Sequence, residues 1–599
     1  MNEFIQSIKN KFNKIDKNYF VIILIGLLLM VPLMSYFYIN GHDTQFHLGN
    51  STILKNYLNN GGLNLFNLKI VDTSAYNFGY GIGIFYPRFA HSIIAYLSCL
   101  TGGVVTAAKV YQFIVIVLSG IFMYKLIKRI TNNRNSALIG TIFYMCAPYF
   151  VSDFYVRSAL AECLNFIFTP MIFLGIYDYL YLNNRRNFFI LFIIGFIGVV
   201  NSHLVTGVFL VIFVLIFLLF NMKRVLKKQV ILDFVLASLI VLAYCSPFLV
   251  LMIQHKLFGN VAIFLKDFMG NPGWSYGTAL NLSDYLSLTP NEKNFGITFY
   301  LNIIMVIMAF YSIINYKKIE KQLNGKNIVF PLIVLSICSI ILSTKIIPWY
   351  KLPDMFQLIQ FPWRLQIFVV FFLSILSSFI VVTWDNTKTS LFKPIIICAS
   401  IVIALNSIDY TRLNFFSLAD ISIYPMGSQR EYLPVNTLNN VGYLENRREE
   451  VIIKDGKANV DILSNSVPEM EFDVDLESSK TTLELPRLYY FGYRIMQNTS
   501  DGLRKIEYKE NDKGFIELDL KSSGKVTVEY VGTKLYRVCR IIKFLTIILI
   551  GIYILIKLLK KRGDQMMKYI SKTLNKIKNK IYTRKNIEFI KKNQCKILF

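Results

Sequence analysis

The stretch YFVIILIGLLLMVPLMSYFYI (19–39), followed by Asn40 and then GHDTQFH (41–47), decides the class of this chain. The apolar run carries no charged residue and is long enough to cross a bilayer, which takes about 20 apolar residues. The next turn brings Asp43 between His42 and His47. A carboxylate and two imidazoles placed where a span ends point to chemistry at a membrane surface, without naming a substrate.

Outward from that first run the pattern repeats. Apolar runs fall near 104–124, 135–152, 159–182, 187–202, 204–222, 230–252, 296–315, 328–346, 365–384, 391–407 and 540–560. About twelve spans are expected, and the 54% hydrophobic content of the 599 residues agrees. The first run is too long, and lacks a small-residue cleavage site after it, to read as a removed signal peptide. Basic clusters set the orientation. Lys9, Lys11, Lys14 and Lys17 precede the first run, and later clusters include Lys125, Lys128, Arg129 and Arg134; Arg185 and Arg186; Lys223 to Lys228; and Lys317, Lys318 and Lys321. Their alternation predicts that the N-terminus and the basic tail both lie in the cytoplasm. The net charge of +27 then belongs mainly to the inner leaflet and its anionic lipids, and a nucleic-acid partner is not expected.

The domain plan follows. Residues 1–18 form a cytoplasmic amphipathic segment, with Phe4, Ile8, Phe12 and Ile15 at helical spacing. Residues 19–407 form the bundle, with a long first outer loop at 40–88. Residues 408–538 form an extracytoplasmic domain, 539–560 the last span, and 561–599 a basic tail with Ile570, Leu574, Ile577 and Ile581 on one helical face. In 408–538 the pattern changes to period two. Met470, Phe472, Val474 and Leu476 alternate with acids, Phe515 to Leu520 and Val526 to Tyr530 repeat the pattern, and Gly456, Gly514 and Gly524 mark turns. This predicts a β-sandwich. The eight cysteines lie mostly in predicted spans, with no CxxC, so neither a disulfide frame nor a thiolate metal site is expected. Within the first loop, FGYGIGIFYP (78–87) lacks the strand-turn-helix setting of a nucleotide fingerprint. It reads instead as tight backbone carrying rings at the membrane interface, with a short interfacial helix over 89–101.

The topology gathers polar residues at the outer ends. These are His42, Asp43 and His47; Asp153, Arg157 and Glu162; Asn201 to His203; and Gln360, Trp363 and Arg364. Asp43 suits a general base, with Asp153 as the alternative. His47 suits a hydrogen bond to phosphate. Arg157 and Arg364 present donor forks matched to phosphate oxygens, and charges so near hydrocarbon need partners. An internal Arg157–Glu162 ion pair and an interfacial anchor at Arg364 remain open alternatives. So does a divalent metal on His42, Asp43 and His47, which would need a further ligand.

The stretches GHDTQFHLGN (41–50), FGYGIGIFYP (78–87), VRSALAECLNFIFTPMIFLGIYDYL (156–180), QFPWRL (360–365), REYLP (430–434) and LPRLYYFGYR (485–494) resemble a group of bacterial membrane proteins described as 6-pyruvoyl-tetrahydropterin synthase-related. That group is akin to YfhO-like proteins and to GT-C glycosyltransferases. The pterin label itself finds no three-His zinc site here. The resemblance implies a GT-C-like polytopic helical enzyme of the bacterial plasma membrane. It would move a sugar from a polyprenyl-phosphate donor to a cell-envelope glycan or polymer on the outer face. Asp43 would then be the catalytic acid-base residue, and His42, His47, Arg157, Glu162, His203, Gln360 and Arg364 the substrate contacts. No cofactor is implied with certainty. A transporter or flippase of lipid-linked glycan, and a non-catalytic envelope-assembly scaffold, are the alternatives.

Overall fold

The computed structural model describes residues 16–34, 37–60, 70, 75–265, 272–353, 356, 359–408, 415–416, 430–466, 469–553 and a few tail positions. The amphipathic face expected before residue 16, and most of the one expected in the tail, lie outside these residues. The described chain is mostly helical, with a β-rich region towards its C-terminus.

Six helices are long and apolar enough to cross a membrane: Val104–Thr131, Leu160–Leu182, Arg185–Ser202, Lys228–Phe258, Pro362–Thr383 and Asn386–Asn406. The pair Arg134–Met145 and Pro148–Tyr155, bent by 44°, is long and apolar enough only when its two helices are taken together. Shorter apolar helices occupy other expected runs, at Asn18–Leu29, Leu204–Leu219, Ile303–Ile314 and Val329–Ser343. The first run is not the continuous span expected over 19–39. Its helix stops at Leu29, a 3-10 turn covers Val31–Leu33, and a short strand β1 follows at Tyr38–Ile39. Pro32 cannot donate to the helical ladder, so the chain turns there. β1 pairs antiparallel with β2 (Phe415–Phe416). The helix expected over 89–101 is present as Phe89–Thr101.

Side-chain contacts sort the helix ends into two groups. At the basic ends Lys128 meets Asp16 at 2.6 Å, Arg129 meets Asp178 at 3.2 Å and Arg185 meets Asp233 at 2.5 Å. There too Arg224 lies 4.3 Å above the Tyr181 ring and Lys326 donates to the Tyr177 hydroxyl at 2.7 Å. None of these residues touches the polar set at the other ends. These charged groups thus find their partners at their own end of the bundle, as the burial cost of an unpaired charge favours.

The β-rich region has two antiparallel sheets. One has order β3-β6-β10-β9: Ile452–Asp455, Thr481–Leu488, Phe515–Leu520 and Tyr508–Glu510. The other has order β4-β5-β11-β7-β8: Ala458–Asn465, Glu469–Leu476, Gly524–Tyr530, Tyr493–Thr499 and Gly502–Ile506. Met470, Phe472 and Val474 of β5 and Leu483, Leu485 and Leu518 of the other sheet bury into one core, which is what period-two alternation requires. The strands occupy 452–530, narrower than the expected 408–538, and two short helices at Val435–Asn439 and Val441–Asn446 precede them.

That core is not self-contained. Phe78, Tyr80, Ile82 and Phe85 of the first loop belong to it. Phe78 meets Phe515 at 5.3 Å, its carbonyl accepts from Leu488 N at 2.8 Å, and Arg447 covers both rings. The glycine-aromatic series therefore carries its rings into protein rather than into the membrane interface. Its glycines are needed for that approach, since a Cβ on Gly81 would fall 2.8 Å from the Tyr490 ring. His255, on the helix Lys228–Phe258, accepts from Phe491 N at 3.1 Å. The segment Val538–Phe599 forms a separate compact unit, helical through residue 553. All seven described cysteines are free thiols.

Candidate functional site

The motif 41–47 is held by backbone pairing. His42 N donates to Val156 O at 3.0 Å and Asp43 N to Arg157 O at 2.8 Å. Thr44 Oγ1 donates to Ile39 O at 2.9 Å and accepts from Gly41 N at 2.9 Å, closing the turn. The helix Thr44–Asn59 starts immediately afterwards, with Asp43 at its N-cap position. Asp43 stays 44% exposed as a result, beside a guanidinium that is almost wholly buried.

Arg157 is the hub. Its Nη1 donates to Asp153 and, at 2.8 Å, to Glu162, while Nη2 lies 3.9 Å from Asp43. The guanidinium also lies 4.8 Å above the Trp363 ring. Burial alone would push Arg157 down, but the Glu162 and Asp153 carboxylates outweigh it and hold the group above its ordinary range. The chain reaches this arrangement through Ser158 at φ +51°, directly after the helix Pro148–Tyr155.

Glu162 collects the remaining cations. Arg364 Nε stands 3.6 Å from it and His203 Nε2 stands 3.9 Å from it. The 3-10 turn Pro362–Leu365 presents Arg364, whose Nη1 donates to Ile359 O at 3.1 Å and to Gln360 Oε1 at 3.0 Å. His203 links two helices, and its Nδ1 lies 2.8 Å from Thr206 Oγ1, which fixes the ring and turns Nε2 toward Glu162.

The sequence candidates therefore divide. Asp43, Asp153, Arg157, Glu162, His203, Gln360 and Arg364 converge. His42 turns toward the loop at Phe295, with ring centroids 6.0 Å apart, and hydrogen-bonds the backbone there. His47 faces the other way and pairs with His91, Nδ1 to Nε2 at 2.8 Å. Burial pushes the His47 imidazole down to about 4, and burial also lowers His42. Asp153 is sealed at 0% exposure against Arg157. Arg157 directs Nη1 to two carboxylates, the ion pair that was one of its alternatives. Among the described residues no group of three or more His, Cys, Asp or Glu side chains is spaced to hold a metal.

Sequence reasoning named Trp363 but missed the aromatic wall built on it. Phe361 packs on Trp363 at 5.0 Å, and Trp274 and Phe295 extend the stack outward at 5.9 and 6.1 Å from Phe361. The run Pro272-Gly273-Trp274-Ser275-Tyr276-Gly277 carries an aromatic-glycine signal, but nothing in it indicates which loop it would meet.

Residues 87–251, a minority of the chain, match the family described as dolichyl-phosphate-mannose-protein mannosyltransferase. No curated protein matches the chain. Among solved structures, it is similar to the oligosaccharyltransferase of Archaeoglobus fulgidus in complex with zinc and sulfate. The TM-score is 0.40 at 13% identity, covering 65% of this chain and 53% of that one. The apo form of the same enzyme gives 0.38 at 12% identity, covering 72% and 58%. The chain thus spans little more than half the length of those structures.

Proposed function

We propose that this protein is a membrane glycosyltransferase of the GT-C type. It takes a sugar from a polyprenyl-phosphate donor and places it on a cell-envelope acceptor at the outer face of a bacterial plasma membrane. The observation that carries the reading is the exposed Asp43 carboxylate set beside the buried Arg157–Glu162–Arg364 cluster. The match of residues 87–251 to a mannosyltransferase family supports it, since that stretch contains Asp153, Arg157, Glu162 and His203. The positive-inside rule supports twelve crossings, both termini inside and the β-rich region outside.

In this reading Asp43 accepts the proton of the attacking acceptor hydroxyl. Arg157 is a positioning residue. Its salt links to Asp153 and Glu162 fix the wall from which Asp43 projects, and they set Glu162 where it orients Arg364 and His203. Arg364, braced by Gln360, is left as the cation for the leaving phosphate, with a planar fork suited to its oxygens.

The test is transfer of a labelled sugar from polyprenyl-phosphate donors in proteoliposomes. Asp43→Asn should insert and fold normally and lose about a hundredfold or more in rate, the usual value of positioned proton transfer. Arg364→Lys should weaken donor use more than it harms stability, because charge is kept and the fork is lost. Near wild-type transfer by Asp43→Asn would remove Asp43 from the role. Movement of lipid-linked glycan across the bilayer without transfer would put a flippase in place of the enzyme.

A further inference from the structure

Two aromatic rings remain outside the protein interior directly beside the candidate site. Trp274 is 44% exposed and Phe295 is 48% exposed, and their centroids lie 6.4 Å apart. Phe295 also faces the ring of His42, the neighbour of Asp43. Behind them Phe361 and Trp363 continue the stack to the Arg157 guanidinium. Trp274 sits on the short helix Pro272–Thr278, and two neighbouring loop positions are strained. Phe295 has φ +62° and Gln360 has φ +61°, backbone conformations that L side chains adopt at a cost of about 1–3 kcal/mol. Next to the rings in sequence are two unsatisfied polar groups. Ser275 Oγ and Asn294 Oδ1 are buried with no hydrogen-bond partner among the described residues. A buried polar atom left unmatched costs about 1–3 kcal/mol, so such atoms are places where an ordered water completes the set.

A sugar ring fits these exposed aromatic faces. A pyranose ring presents a face of C–H groups that packs on an aromatic face, and an edge of hydroxyls that must find donors and acceptors. We infer that Trp274 and Phe295 form a platform for a pyranose ring beside Asp43, whose exposed carboxylate is the polar partner for its hydroxyls. The inference rests on the glycosyltransferase reading and adds the subsite that holds the sugar. The competing role for an exposed tryptophan is anchorage in the lipid headgroup layer. Trp274 is a poor anchor, because it stacks inward on Phe361 and Phe295. Among the described residues of this region the most exposed apolar side chains are instead Leu286 and Leu288, several residues away in sequence.

The platform separates from the phosphate site in kinetics. In proteoliposomes Trp274→Ala and Phe295→Ala should raise KM for the sugar-bearing partner about tenfold or more while kcat falls little, and Trp274→Phe should recover most of the loss. Binding of polyprenyl phosphate without a sugar should not change. A rise confined to the donor KM places the donor sugar on the rings, and a rise confined to the acceptor KM places the acceptor sugar there. Unchanged KM values for both partners in both alanine variants would overturn the platform. If the wild type transfers no sugar, the glycosyltransferase reading fails and tryptophan emission decides the platform separately. Emission of the wild type is then titrated with polyprenyl-phosphate hexose, methyl hexoside and polyprenyl phosphate. A saturating change with either sugar-bearing probe, absent with polyprenyl phosphate and absent in Trp274→Phe, supports it. No such change overturns it, as does quenching of Trp274 by brominated lipids.

Discussion

A methyl group at position 41 would sit 2.5 Å from Ser158 Oγ and 2.8 Å from Tyr155 O. The backbone pairing that aims Asp43 therefore depends on glycine as much as on the carboxylate. Gly41→Ala should destabilise the protein by about 1–3 kcal/mol, as overpacking does, and should lower transfer further by prising Asp43 away from Arg157. Thermal unfolding in detergent beside the transfer assay measures both, and an alanine variant equal to wild type in each would refute the tight fit. His47 gives a second expectation. Burial holds it near 4, against about 6.5 in an unfolded chain. Between those values the unfolded chain binds the proton and the folded one does not, so stability falls as pH drops from 6.5 toward 4 and is unaffected by this group above 6.5. His47→Asn should flatten that part of the melting curve, and an unchanged slope would show that His47 does not titrate this way. The charged residues of the site were legible in the sequence, because a carboxylate or guanidinium between apolar runs must be paired or functional. Which carboxylate takes which guanidinium was not, since partner choice is made between distant segments such as 157 and 364.

The elements show where periodicity is informative and where it is silent. Alternation found β5, β10 and β11 because each has a core face and a wet face. It could not place Phe78, Tyr80 and Phe85, because a ring destined for a protein core and one destined for lipid leave the same mark. Nor could composition foresee that Pro32 would end the first helix at its middle, since the run on both sides is equally apolar. The first loop is in effect a strap across the β-rich region. Phe78→Ala should cost about 3–5 kcal/mol, the usual loss for a buried phenylalanine, although it lies far in sequence from every strand it supports. Limited proteolysis would read this as faster cleavage within 452–530. Unchanged protease resistance would mean that the strands hold together without the strap.

For the whole molecule, contacts segregate into two ends of the bundle, and the proposed topology puts the basic end inside. In a cysteine-free background, a membrane-impermeant thiol reagent on intact cells should label Ser500→Cys and spare Asn575→Cys. The reverse pattern would invert the topology. The strap also sets a schedule for assembly. Its aromatic residues leave the ribosome early, whereas the strands that enclose them end at Tyr530. At synthesis rates of about 5–20 residues per second, roughly 20 to 90 s separate the two. For that interval Phe78, Tyr80 and Phe85 have no core to enter, and the nascent chain shows an oily loop to whatever waits on its side of the membrane. A protein built in this order needs either a holding chaperone there or a loop that rests on the lipid surface until its lid is made.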